Sequence, residues 1–401
     1  LIETQHDPEK PLVALLIESS RAYGREICLG VAEYARQHGE WNFVIQEHDL
    51  RKGIPDWLAN WKGDGILCRI FDEEIAEALA KSPCPVIDTY GQARNTAIPF
   101  LDSDAFAIAE MAARFFIDAA FEHYAFCGFP GLWFSDDRCA AFEKVMARFG
   151  ADVEVYTPPI SWTSADVAHR ESLHPDGSEE LEKWVSSLPA GTAILTCNDI
   201  RAQQLIRVAA RCNRRIPEDL AVMGVDDDEV ICELTNPRLT SIRPDARTLG
   251  YTAAHWLHLS MQGRELPFRK LLIPPLRINE RASTDIIASE DELFVAAVRY
   301  IRNHVQQGID VSKVVEHTQR SRSSLESRFK KYLGRSIKEE ITRARIARAS
   351  ILLRETSMTL QEIAESCGFA TASHFSRIFK QSEGVTPGSL RTNTRSVSVP
   401  R

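Results

Sequence analysis

Short apolar runs alternate with amphipathic stretches through the first 285 positions, and then the runs stop. VALLIE (13–18), WNFVIQE (41–47), GILCRI (65–70), PVIDTY (85–90), HYAFCGF (123–129), DVEVYTP (152–158), TAILTCN (192–198) and LAVMGVDD (220–227) predict eight strands. Segments such as 103–119, 136–149 and 199–212 carry apolar residues at helical spacing between them. Buried strands separated by helices predict parallel sheets covered on both faces, and two groups of strands predict two lobes.

From Ser289 the pattern is helical. Ser289-Glu290-Asp291-Glu292 offers a cap followed by acids, and Leu293, Val295, Ala296, Val298 and Ile301 form an apolar stripe. In SMTLQEIAESCGFATASHFSRIFKQSEGVTP (357–387), Thr359 caps one predicted helix, with Leu360, Ile363, Ala364 and Cys367 on one face. Gly368 supplies a tight turn, and Thr371 caps a second helix. There Phe375, Ile378 and Phe379 point inward while Ser373, His374, Arg377 and Lys380 stay outside. A helix, a Gly-containing turn and a polar-faced second helix is the helix-turn-helix arrangement. The pattern repeats fifty residues earlier, where LESRFK (325–330) mirrors FSRIFK (375–380). Ser321 caps that copy, leaving Arg322, Ser323, Glu326, Ser327, Lys330 and Lys331 exposed to bases and phosphates. SIKEEITRARIARASILLRET (336–356) predicts one long helix between the two readers, with Ile337, Ile341, Ile351 and Leu352 along an apolar seam. A helix of ~18 residues spans about 27 Å, near the ~34 Å repeat of the major groove.

Charge sharpens this division into residues 1–285 and 286–401. The 401-residue chain has a formal net charge of -8, yet 286–401 holds 19 Lys and Arg against 12 Asp and Glu. The tail is therefore a basic module on an acidic body, and the field at the contact surface is what attracts phosphates. Double-stranded promoter DNA is its expected partner. The longest apolar runs fall far short of the ~20 residues of a membrane span, so no membrane segment is expected. Nine scattered cysteines without a CxxC pair favour a reducing cytoplasm.

In open parallel sheets, ligands bind beyond the carboxyl ends of the strands. The polar residues there are Ser19, Ser20, Arg21 and Tyr23, then Tyr90, Arg138, Trp162, Asn198 and Asp199, Asp226 and Asp227, and Arg243. Carboxylate, amide and guanidinium groups with aromatic walls suit a polyhydroxylated ligand whose hydroxyls donate to Asp226 and accept from Arg138 and Asn198. Asp226-Asp227-Asp228-Glu229 lacks the glycine and spaced oxygens of a calcium loop and reads as a solvated turn beside that cleft. HExxH, GxGxxG, Walker and GxSxG motifs are all missing, as is histidine spacing suited to a metal, so neither an enzyme nor a cofactor is expected. The cleft taken alone would also suit a secreted sugar-binding protein or a sugar-processing enzyme.

Three resemblances extend this reading. PVI at 85, DSD at 102, TCND at 196, IPEDLAVMGVDD at 216, LTSIRPDARTLGY at 239 and IPPLRINERAST at 273 resemble the effector domain of LacI-type repressors and periplasmic sugar-binding proteins, over residues 11 to 283. That resemblance implies a sugar between two lobes and carries ligand roles onto Arg138, Asn198 and Asp226, with looser matches at Arg21, Tyr23 and Trp162. Ser20, Tyr90 and Arg243 complete the expected set. The acid-base pair often found after the fourth strand is here Tyr90-Gly91. IAESCGFATASHFSRIFKQSEGVTPGSLR resembles the AraC-type regulators, over about 290 to 391, implying a double helix-turn-helix DNA-binding domain. Its first turn departs from that pattern, with Gln319-Arg320 where glycine and an apolar residue are common. The expected fold is thus a two-lobed α/β periplasmic-binding-protein-like (LacI-type) effector domain followed by an all-α domain with two helix-turn-helix units. The pairing, with LLIPPLRINERASTD and VRYIRNHVQQGI, resembles xylose-operon activators. It implies D-xylose or a related sugar as effector, a homodimer, and RNA polymerase as a partner.

Overall fold

The computed structural model describes residues 10–46, 58–70, 73–91, 97–158, 179–285, 291–356, 358–383 and 385–396. The chain divides into two compact units, 1–115 with 123–285, and 116–122 with 286–401.

The first unit holds two six-stranded sheets. One contains β1 (Leu12–Leu16), β2 (Asn42–Gln46), β3 (Gly65–Cys68), β4 (Val86–Asp88), β5 (Phe100–Ser103) and β11 (Lys270–Ile273), in the order β11-β5-β4-β3-β1-β2. The other contains β6 (His123–Cys127), β7 (Val153–Val155), β8 (Thr192–Thr196), β9 (Leu220–Val225), β10 (Thr240–Arg243) and β12 (Arg277–Asn279), in the order β12-β10-β9-β8-β6-β7. The pairings are parallel apart from β10 with β12. The eight expected strands are present, and β5, β10, β11 and β12 join them. LAVMGV of β9 and TAILT of β8 are buried at every position, as strands with helices on both faces must be.

Helices α1 (Ala22–Gln37), α2 (Glu73–Ala80), α3 (Ala105–Asp118), α4 (Trp133–Arg148), α5 (Glu179–Ser187), α6 (Asp199–Arg211), α7 (Glu229–Leu234) and α8 (Ala246–Met261) accompany the sheets. On the first lobe α1 and α8 pack over Val13, Leu15, Leu67, Ile87 and Leu101 through Ile27, Val31, Leu249, Trp256 and Leu257. Glycine permits their close approach: a Cβ on Gly30 would collide with the Arg247 carbonyl oxygen, and one on Gly250 with that of Ile27. The second lobe packs Leu181, Val185, Leu205 and Val208 on Ile194 and Val222. Three crossings join the lobes, at 103–123, 243–246 and 273–277. They are knitted together, since Asp104 N–H donates to the Ile273 carbonyl and Leu276 N–H to that of Arg243, each at 2.8 Å.

The second unit is helical: α9 (Glu292–His304), α10 (Val311–Thr318), α11 (Arg322–Leu333), α12 (Ile337–Glu355), α13 (Leu360–Ser366), α14 (Ala372–Glu383) and α15 (Pro387–Ser396). Asp291, one of the expected early acids, caps α9 by accepting from Phe294 N–H, while Ser289 lies outside the described residues. Phe294, Ile301, Val314, Leu325 and Phe329 form one core and Ile363, Cys367, Phe375 and Phe379 another. α12 serves both, giving Ile337 and Ile341 to the first and Ile346, Ala349 and Leu353 to the second. The seam thus continues through 346, 349 and 353; Leu352 is partly buried, and the Ile351 side chain lies outside the described set.

Candidate functional site

Strand ends of both lobes converge on one cavity, lined by Glu18, Arg21, Tyr23, Arg69, Tyr90, Asp102, Phe134, Arg138, Asn198 and Asp226. Six of the nine expected effector residues are among them: Arg21, Tyr23, Tyr90, Arg138, Asn198 and Asp226. Ser20 is exposed and donates to Glu18 at 2.7 Å instead of facing the cavity. Arg243 lines a larger adjoining cavity of about 470 Å³ that shares Tyr23 and Asp226. Trp162 lies outside the described residues.

The positions follow from local structure. Tyr23, in the first turn of α1, is buried and its hydroxyl pairs with Ser103 Oγ at 2.8 Å. Burial, then the nearby Asp102, pushes its phenol up. Arg138 on α4 donates from Nη1 to the Cys197 carbonyl and brings Nη2 to 3.6 Å from Asp226 Oδ1. Asn198 caps α6, its Oδ1 accepting from Arg201 N–H at 2.9 Å. Its place at the site therefore follows from the strand-to-helix turn itself.

Asp226 and Asp227 have φ of 114° and 50°, an uncommon backbone conformation for non-glycine residues. Buried groups hold that turn. Asp199 accepts from Asp228 N–H at 2.8 Å and from Ser241 Oγ at 2.5 Å, while Ser241 Oγ accepts from Asp227 N–H at 3.0 Å. Burial, reinforced by Asp226, holds the Asp199 carboxyl well above the usual range. Asp227 pairs with Arg281 at 3.0 Å. The 226–229 run is therefore no solvated turn: Asp227 and Asp228 are tied into the lobe, because the strand end would otherwise leave buried N–H groups unpaired. Among the described residues no cluster of His, Cys, Asp and Glu could hold a metal ion.

Four lining residues went unnoticed in the sequence, Glu18, Arg69, Asp102 and Phe134, and two of them carry the chemistry of the first lobe. Arg69, just after β3, lies over the rings of Tyr23 and Tyr90, at 5.1 and 4.8 Å from their centroids. Asp102, in β5, sits beside them, and burial raises its carboxyl to about 7 against the pull of Ser103 N–H, Arg69 and Arg138. The signal for Arg69 was a charge at the end of the otherwise apolar GILCRI.

In the helical unit, α11 and α14 are each twelve residues long and begin fifty positions apart. Ser321 Oγ accepts from Ser324 N–H and Thr371 Oγ1 from His374 N–H. Arg322, Ser323, Ser327, Lys330 and Lys331 are exposed on α11, as are Ser373, His374, Arg377 and Lys380 on α14. Leu325 and Phe329, like Phe375 and Phe379, are fully buried beneath them. Glu326 has another partner: its carboxylate accepts from Ile337 N–H at 3.2 Å at the start of α12. Gln319 holds φ 53° in the first turn, and Gly368 φ 74° in the second.

Known proteins share both halves. Residues 12–102 match a family described as XylR N-terminal domain, 113–284 a periplasmic binding protein-like domain, and 314–393 a helix-turn-helix domain. The xylose operon regulatory protein of Escherichia coli K12 is 31% identical over 94% of this chain and 96% of its own length. That of Haemophilus influenzae is 28% identical over 95% and 98%. A solved structure of the xylose-binding transcription activator XylR superposes with a TM-score of 0.60 at 30% identity, covering 96% of this chain and 98% of the other. A LacI-type regulator from Alkaliphilus metalliredigens complexed with D-xylulofuranose, 16% identical over 69% and 99% with a TM-score of 0.54, shares the fold. Identity at this level, running through sensor-like lobes and paired helix-turn-helix units alike, shows that the chain belongs to the xylose operon regulatory protein family.

Proposed function

We propose that the protein is a D-xylose-responsive activator of pentose-catabolism genes that binds promoter DNA as a homodimer and acts through RNA polymerase. The observation that carries this reading is the end-to-end match, at 31% identity, to a relative named as the xylose operon regulatory protein. The cleft supports a sugar: hydroxyls donate to Asp226, accept from Arg138 and Asn198, and lie against Tyr23 and Tyr90. Arg21 and Arg243 contribute from the cleft and its adjoining cavity. Arg322, His374 and Arg377 read base edges, whereas Lys330, Lys331 and Lys380 contact phosphates.

The mechanism is a population shift. Sugar bridging the lobes favours the closed cleft, and closure favours the DNA-competent state of the dimer. A coupling of ~1–3 kcal/mol changes DNA affinity about 5- to 150-fold. A gel-shift assay with the gene's own upstream region across a panel of sugars tests this. A shift strengthened by D-xylose is expected. Equal shifts with every sugar and with none would refute it.

A further inference from the structure

In the sheet order β5-β4-β3, the strand carrying Tyr90 at its end lies between the strands that carry Asp102 and Arg69. The fourth strand supplies no polar pair of its own. Asp88 is buried and turned into the backbone: Oδ1 accepts from Ile70 and Tyr90 N–H at 3.0 and 3.1 Å, and Oδ2 from Gly91 N–H at 2.9 Å. It clamps the loop, with three of its roughly four acceptor sites taken by backbone N–H groups.

The flanking strands fill the gap. Arg69 places its guanidinium against Tyr23 and Tyr90, so its plane is oriented by aromatic contacts. Asp102 Oδ1 accepts from Ser103 N–H at 2.7 Å, and Ser103 Oγ is fixed by the Tyr23 hydroxyl. Among the described residues Asp102 Oδ2 takes no hydrogen bond, and the carboxylate borders the same cavity as Arg138, Asn198 and Asp226.

We propose that Arg69 and Asp102 are the hydroxyl-recognising pair of the first lobe, standing in for one after the fourth strand. Asp102 accepts from one sugar hydroxyl and Arg69 donates to a neighbouring oxygen. This rests on the sugar reading above and deepens it. The lining also sets the ligand's charge. Glu18, Asp102 and Asp226 oppose Arg21, Arg69 and Arg138, three against three, so a neutral polyol suits the site and an anionic sugar acid meets carboxylates on both walls.

The charged and titratable groups around Asp102 are Arg69, Arg138, Asp88 and Tyr23. With its carboxyl raised to about 7 by burial, Asp102 is an ionised acceptor above neutrality and loses that role as pH falls through 7.

Calorimetric titration of the full chain with D-xylose between pH 6 and 8 is the test, on wild type, Asp102→Asn, Arg69→Lys and Arg69→Met. Wild-type affinity should rise with pH. Asp102→Asn should bind about tenfold more weakly at pH 8, come within about twofold of wild type at pH 6 and show no pH dependence, because the amide cannot ionise. Arg69→Met should bind at least tenfold more weakly, with Arg69→Lys between it and wild type. Melting curves establish that each variant is folded, and Arg69→Lys, which keeps the charge, serves if either other variant is not. Wild-type affinity in the variants, at all pH values, overturns the assignment of the pair. Wild-type protein that takes up no sugar overturns the sugar reading and, with it, the role of the pair.

Discussion

The Asp228 carboxylate of the second lobe accepts a hydrogen bond from the backbone N–H of Ala22, the first residue of α1 on the other lobe, at 3.2 Å. Arg25 Nη2 stands 3.8 Å from the same oxygen. The N-cap residue of α1, Arg21, makes no side-chain cap bond of its own, so the helix is capped from across the cleft. Asp228→Ala should therefore weaken the lobe contact and lower sugar affinity about 5- to 10-fold, equivalent to ~1–1.4 kcal/mol. Titration calorimetry reads this directly, and an unchanged affinity would mean that the contact does not distinguish open from closed lobes.

Glu340 has a fully buried side chain held by Arg335 Nε at 2.7 Å and by Arg343 Nη2 at 2.9 Å, and both arginines also meet Asp118. Removing Glu340 leaves two partly exposed arginines to share Asp118, at a cost of about 1–3 kcal/mol. Glu340→Ala should lower the urea midpoint of the helical unit and weaken DNA binding, followed by helical circular dichroism and by gel shift. Retention of the wild-type midpoint would contradict the account.

Gln319 occupies a left-handed backbone position where the second helix-turn-helix has Gly368. A side chain in that conformation costs roughly 1–2 kcal/mol, and glycine removes the cost while adding some freedom to the unfolded chain. Gln319→Gly should raise stability by ~0.5–1 kcal/mol in denaturant titration, because a Cβ is disfavoured there.

Tyr34 joins α1 to α8 through its hydroxyl, 3.2 Å from His255 Nδ1 and 2.9 Å from His258 Nδ1, with His38 stacked on its ring at 4.0 Å. Burial, then the neighbouring His38, holds both α8 imidazoles below their ordinary value, with His258 and Arg264 adding to the effect on His255. A base with a depressed folded pKa contributes stability that is complete above its unfolded value of about 6.5 and is lost as pH falls through the folded value. The contribution of these imidazoles to the melting temperature should be flat above pH 7 and decline below about 6.5, against the opposite trend from Asp102 and Asp199, whose raised carboxyls take up protons on folding. The double variant His255→Gln/His258→Gln should flatten that decline.

On the exposed faces of α11 and α14, Arg377→Ala should cost ~1–3 kcal/mol and relax preference at one base position. Lys330→Ala and Lys380→Ala should weaken all sequences alike and each lower the salt slope by about 1. Binding titrations across several salt concentrations separate the two classes.

The periodic features were legible in advance. Phe375 and Phe379 repeat Leu325 and Phe329 at a fixed offset, and strands such as TAILT are apolar throughout. Features set by distant pairing were not: RIN of β12 becomes a strand only because β10 lies beside it, antiparallel. The same holds for the site. Asn198 stands at a strand-to-helix turn and Arg138 on the helix that follows β6, both placed by local sequence order, whereas Arg69 and Asp102 become neighbours only through the order of β3, β4 and β5. Glu326 looked free because Ile337, whose N–H it accepts, lies eleven residues away beyond a turn.

The three chain crossings between the lobes, with Asp104 bonded to Ile273 and Leu276 to Arg243, behave as one laminated strap. A strap of this kind flexes readily but resists sliding, because sliding would break the bonds between its layers. On the proposed function, jaw angle is the coordinate that a bound molecule controls, and a guest too bulky to let the jaw shut should act as an antagonist of the sugar it displaces.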